Sequence, residues 1–151
     1  MKKKLLITGS LLIITIVILG VMFIYQPHRD VANAKTDYIF PVETLVLEYL
    51  KDEKAANKKY LSSDGQSKII MIEGFINNLT TIKEGRSILI LKGEKQNTGM
   101  QCLLEIGESI ENLHVGDKIK VKGVLRAGPG YDEDLEMYEN GYLEKCSITR
   151  E

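Results

Sequence analysis

The chain is poor in the side chains that most often do chemistry. Its 151 residues hold two histidines, His28 and His114, and two cysteines, Cys102 and Cys146. A zinc site takes four closely placed ligands, most often cysteine and histidine. Two cysteines without a CxxC pair, and no third ligand nearby, do not make one. A serine or cysteine nucleophile needs an oriented base, and the only histidine beyond the first 28 residues, His114, opens a turn. Catalysis therefore has no constellation to rest on, and the sequence reads as a binding or interaction module rather than an enzyme. Aromatic residues are also scarce, at 7%, and tryptophan is absent. Single-stranded nucleic acid is gripped by aromatic platforms along a basic groove. Among the expected strands only Phe75 and Tyr142 could serve as such platforms.

Charge is missing where it is most telling. From Leu5 to Tyr25 there are 21 residues without a charged side chain. As a helix this run is roughly 32 Å long, enough to cross the hydrocarbon core of a bilayer. Lys2, Lys3 and Lys4 precede it, so the positive-inside rule puts the N-terminus in the cytoplasm and the remainder outside. The expectation is a single-pass anchor in the inner (cytoplasmic) membrane with a periplasmic or extracellular domain. The alternative is an exported domain released by signal peptidase, because Ala32-Asn33-Ala34 resembles an A-x-A site. Signal h-regions are usually shorter, about 7–15 residues. No cysteine follows the apolar run before Cys102, which excludes a lipoprotein anchor there.

From Asp30 onward sixteen basic residues face twenty-one acidic ones, a net charge of −5. Such a domain has no overall field to attract phosphate backbones. Cys102 and Cys146 both fall on the expected outer side. An oxidising compartment permits a disulfide between them, and a pair of small buried thiols is the other reading.

Three segments follow from the pattern. Residues 1–25 form the transmembrane anchor, 26–40 a juxtamembrane linker, and 41–151 a folded domain. Pro41 suits the first position of a helix. Val42, Leu45, Val46, Tyr49, Leu50, Ala56 and Tyr60 recur at three- and four-residue steps, which predicts one amphipathic helix over 41–61. The period then shortens to two. Strands are expected at Lys68–Ile76, Ser87–Lys92, Met100–Ile106, Lys118–Leu125 and Gly141–Thr149. Gly74 inside the first reads as a bulge or bend, and Glu108 to Asn112 as a single helical turn. Five strands in about 80 residues leave no room for long crossovers. A bent antiparallel sheet closing into a small barrel removes its exposed edges.

Several stretches together resemble the bacterial tRNA_anti-like OB-fold family, many of whose members are exported or membrane-anchored. They are "DEKAANKKYL" (Asp52–Leu61), "IEG" (Ile72–Gly74), Cys102, "GDKIKVKG" (Gly116–Gly123) and "EKCSI" (Glu144–Ile148). The resemblance implies the five-stranded OB barrel, and with the helices read above the expected architecture is mainly β, α+β: a five-stranded OB-fold barrel preceded by one amphipathic helix and an N-terminal transmembrane helix. It does not imply tRNA binding, and the family's function is largely unassigned. The stretch "VLRAGPGYDEDLEMYENG" departs from the family, where a further cysteine often follows the fourth-strand glycine. Membrane-anchored OB-fold haem chaperones share this layout, but they use a histidine four residues from a tyrosine late in the chain. No histidine follows His114, so haem is excluded.

The remaining candidates are weak. Lys118, Lys120 and Lys122 form a basic stripe that Lys92 and Lys95 could extend, but such a row is more often a solvated face. The "GPG" at Gly128–Gly130 is followed by Asp132, Glu133 and Asp134, which would repel a phosphate. Those three acids with Glu136 and Glu139 could offer oxygens to a divalent cation, though the spacing fits no EF-hand. No cofactor is expected. The expected partners are the bilayer, through the first segment, and a cell-envelope protein, through the sheet face or rim loops; a small-ligand or divalent-cation binder is the alternative.

Overall fold

The computed structural model describes residues 30–82 and 85–149. The apolar run expected to span a membrane lies outside these residues. Among those described, no helix is long and apolar enough to cross a bilayer.

In chain order the elements are β1 (Tyr38–Pro41), α1 (Val42–Lys51), α2 (Glu53–Tyr60), β2 (Ile69–Thr81), β3 (Ser87–Lys92), β4 (Met100–Leu104), β5 (Lys118–Ala127), β6 (Gly130–Asp132), β7 (Met137–Glu139) and β8 (Gly141–Thr149). Five of these strands close a barrel in the order β2-β3-β4-β8-β5, with β5 returning to β2. All pairs are antiparallel except β4 with β8. This is the five-stranded barrel expected from the alternating residues.

β2 reaches further than expected because it serves two neighbours. Ile69 to Phe75 pair with β5, Phe75 to Thr81 pair with β3, and the register slips between Ile76 and Asn78. The bulge therefore lies beyond Gly74, and that glycine has a different reason. A Cβ there would sit 2.8 Å from Val42 Cγ1, so its absence lets the start of α1 approach the strand. Before β3 takes over, the free edge of β2 is covered by β1, which runs parallel to it from Tyr38↔Ile70 to Pro41↔Glu73. Tyr38, Ile39 and Phe40 are strand formers, and they fall within the stretch read as linker. Pro41 is likewise an extended N-cap residue with ψ 147°, not the first helical residue.

The single helix expected over 41–61 is two. Asp52 breaks it with φ −157° and ψ 89°, and its side chain caps α2 by accepting from the Ala55 N–H at 2.9 Å. The change of direction brings Tyr49 and Tyr60 together, stacked with centroids 6.2 Å apart. Glu48 binds the two helices, accepting from Lys59 Nζ at 2.7 Å and from the Tyr60 hydroxyl at 2.6 Å. Desolvation alone would raise the Glu48 carboxyl; those two bonds outweigh it and hold the group below its ordinary value. Val42, Leu45, Val46, Tyr49, Ala56 and Tyr60 are buried as their spacing requires, whereas Leu50 is exposed. The helices face the barrel core, where Ile70, Ile72, Ile76, Leu89, Leu91, Leu104, Val121, Leu125 and Leu143 point inward from every strand. Residues 108–112 form turns without a helix.

The chain ahead of β1 is docked on the barrel as well. Val31 packs with Ile69 and Val124 in a small second cluster. Asp37 pairs with Ile69 twice, its N–H donating to the Ile69 carbonyl and its carboxylate accepting from the Ile69 N–H, both at 2.8 Å.

Candidate interaction surface

The basic stripe on β5 is spent within the fold. Lys118 makes an ion pair with Glu73, which raises the ammonium's pKa and lowers the carboxyl's. Lys122 is only 8% exposed. Its Nζ donates to the carbonyls of Ala32 and Ala34, the former at 2.9 Å, and so ties the entering chain to β5. Lys120 stands opposite Glu73 in the β2–β5 register. Beyond β5, Lys92 reaches the Asn97 carbonyl at 2.9 Å. Alternation correctly put these lysines on one strand face, but not what they would meet there.

The other singled-out residues are dispersed. His114 lies on an exposed turn, its Nδ1 3.7 Å from Asp117. Phe75 packs beneath the Lys118 ammonium at 6.0 Å, and Tyr142 pairs with Gln101 on the far side of the barrel. Cys102 and Cys146 are free thiols, fully buried on the paired strands β4 and β8. Burial above all, with a hydrogen bond to Cys102, pushes the Cys146 thiol well up. A cleft of about 460 Å³ opens between β2, β5, β8 and the loop before β5. Glu73, Glu111, Lys118, Lys120, Leu113 and Ile148 line it, with charges of both signs.

The departure from the family pattern after β5 folds as a hairpin, β6 against β7, that the sequence did not announce. Its foot is braced on several sides. The Tyr49 ring lies directly on Gly128, where any Cβ would enter the ring, and this accounts for the first glycine of "GPG". Pro129 and Met100 pack close against Gly141. The Thr98 hydroxyl donates to the Glu139 carbonyl at 2.6 Å, and Asn140 Oδ1 accepts from the Gly99 N–H at 2.9 Å. At the tip, Asp132 Oδ1 accepts from the backbone of Asp134 at 2.8 Å and of Leu135 at 2.9 Å. Asp132, Glu133, Asp134 and Glu136 thus shape and surround a turn; no group of three or more acidic, histidine or cysteine side chains that could hold a metal occurs among the described residues.

The hairpin also carries apolar surface. Tyr131 and Tyr138 face one another across its strands, edge to face with centroids 4.9 Å apart. Tyr131, Leu135, Met137 and Tyr138 are 48%, 64%, 51% and 42% exposed. Tyr131 and Tyr138 share one face of the hairpin, Met137 lies on the other opposite Asp132, and Leu135 stands in the connecting turn. Isolated apolar residues on a surface are ordinary, but four within eight positions of one hairpin are a local concentration.

A search of solved structures finds the aspartyl tRNA synthetase from Entamoeba histolytica, at 14% identity and a TM-score of 0.37. The alignment covers 82% of this chain and 23% of that one, so the present chain corresponds to a minor part of that enzyme's length. No curated protein matches in sequence. The family model described as tRNA_anti-like matches residues 1–128, ending at the foot of the hairpin. The match takes in most of the chain and most of the barrel, and the chain belongs to the tRNA_anti-like family.

Proposed function

We propose that this chain is a membrane-anchored, extracytoplasmic OB-fold module that binds another protein of the cell envelope and has no catalytic role. The observation that carries the reading is the concentration of exposed apolar side chains on one braced hairpin, beside a barrel whose clefts are open and mixed in charge. Rim loops of OB barrels are a common place for ligands. Anchoring rests on the 21-residue uncharged run and the lysines before it.

One structural detail favours retention of the first segment over release. Cleavage after Ala34 would remove Val31 from its cluster with Ile69 and Val124, and both carbonyl acceptors from Lys122. A released domain would lose those two hydrogen bonds and open the apolar side chains of Ile69 and Val124 to water.

The full chain, produced in a bacterial host, is expected to remain in carbonate-washed membranes. Its barrel should be open to protease added to intact spheroplasts. A membrane-impermeant crosslinker should join it to a discrete envelope protein. A chain found free in the soluble fraction ends the anchor. A chain that forms no adduct, yet co-purifies with a small molecule, shifts the reading to ligand binding.

A further inference from the structure

Nine large apolar residues are exposed among the described residues, and four of them fall between Tyr131 and Tyr138. The same hairpin bears Asp132, Glu133, Asp134, Glu136 and Glu139, and no lysine or arginine occurs between Arg126 and Lys145. Each face of the hairpin thus sets exposed apolar side chains among acidic ones, the two tyrosines on one and Met137 with Asp132 and Glu139 on the other, and that combination selects the occupant. We propose that the β6–β7 hairpin is a docking surface for a cationic amphipathic polypeptide segment, one in which lysine or arginine alternates with apolar side chains. The inference rests on the protein-binding reading above and names the surface and the class of partner.

Three features support it. The first is preorganisation. The foot is fixed by Tyr49 on Gly128 and by the Thr98 and Asn140 bonds, and the tip by the Asp132 bonds. A surface that is already ordered loses little conformational entropy on binding. The second is composition. Tyrosine is favoured where contacts dominate binding energy, and the exposed rings of Tyr131 and Tyr138 can receive a cation over their faces. The third is charge. Phosphate groups, whether on anionic lipids or nucleic acid, are repelled by five carboxylates. A second copy meeting this hairpin across a two-fold axis would set the same carboxylates against each other. A cationic segment gains from the field in both approach and register.

The test uses the full chain in phosphatidylcholine nanodiscs. The probes are two short peptides, one alternating lysine with leucine around a single tryptophan, the other its glutamate twin. The chain contains no tryptophan, so the emission reports on the peptide. The lysine peptide is expected to shift to the blue and saturate with chain over empty discs, binding at least about 10-fold more tightly than its twin, and to weaken with added salt. D134K/E136K should erase that preference. L135S/M137S should weaken the lysine peptide about 10-fold with the melting temperature unchanged, since all four side chains lie outside the core.

Equal affinity for the two peptides overturns the proposal, as does an affinity that both double variants leave intact. So does self-association, or binding to phosphatidylglycerol vesicles, that L135S/M137S abolishes. If the peptide result fails while the envelope crosslink persists, the chain remains a binding module with its surface elsewhere. Loss of the crosslink ends the broader reading.

Discussion

Lys122 shows how much a single side chain can reorganise. On the strand pattern it is the third lysine of a solvated row, yet it is nearly buried and holds the carbonyls of Ala32 and Ala34. Lys122→Met removes both charge-assisted bonds and leaves the two acceptors to water. Hydrogen bonds to charged groups contribute about 1.5–3 kcal/mol each, less what solvent restores. A loss of about 1–3 kcal/mol in urea unfolding is expected, with faster amide exchange over residues 30–37 than over the barrel. Tyr49 makes the opposite case. Its hydroxyl is buried without a hydrogen-bond partner, while its ring packs on Gly128 and Tyr60. Tyr49→Phe deletes only the uncompensated atom, so stability at neutral pH should hold or rise. Burial, and then the nearby Tyr60, push the Tyr49 pKa from 10.0 up to about 12. A folded-state pKa above the unfolded one gives stability that is complete below the unfolded value and is lost as pH rises through the folded one. Between pH 10.0 and about 12 the native chain should therefore lose stability more steeply than the phenylalanine variant, as melting across that range will measure.

At the scale of elements, the break at Asp52 decides the shape of the helical layer. One straight helix over 41–61 could not bury Tyr49 and Tyr60 against each other and still return the chain to β2. Asp52→Ala removes the cap on α2, which typically costs about 0.5–2 kcal/mol. The expected result is a modest fall in melting temperature with faster amide exchange confined to Glu53–Tyr60. The break was hard to read because a lone aspartate within a continuing apolar stripe resembles any exposed helical position. Strands β3 and β8 were legible to the residue, β3 from its buried alternate residues and β8 from its apolar positions, although in β8 the alternation breaks between Leu143 and Cys146, where Lys145 has φ 53°. β1 was not, because four residues are too few to show a period. Its existence depends on β2 offering an uncovered edge. The hairpin strands are shorter still, three residues each, and their acidic composition hides the Tyr131–Tyr138 pair that holds them.

For the molecule as a whole, Cys102 and Cys146 report on integrity. Both sit at the centre of the barrel, and burial keeps the Cys146 thiol from ionising at ordinary pH. Thiolate is the reactive form. Native chain should take up no iodoacetamide, and unfolded chain should take up two equivalents, read as mass increments. Two equivalents only after reduction would mean that Cys102 and Cys146 join β4 to β8 covalently. The docking of Val31 and Ala34 bears on the whole assembly too. The apolar run ends at Tyr25 and the docked chain begins at Asp30, so an anchored barrel would stand no more than about 18 Å from the end of its membrane segment. The free 15-residue tether expected from composition is mostly part of the domain.

Period and composition alone determined that a β-domain follows a long uncharged segment, and that its five main strands have one inward face. Burying alternate residues requires strands, and strands so short and closely spaced close into a barrel. The same features located the helical stripe. Only the tertiary structure decided where the charges and apolar surplus end up. Lys118 is paired with a carboxylate 45 positions earlier in the chain, and Lys122 is hydrogen-bonded to carbonyls about 90 positions earlier. The acidic loop gains a rigid form because Tyr49, Thr98 and Gly99, remote in sequence, brace its foot. Such contacts join residues with no fixed spacing, so no periodicity records them, and the surface they create becomes visible only once the chain has closed on itself.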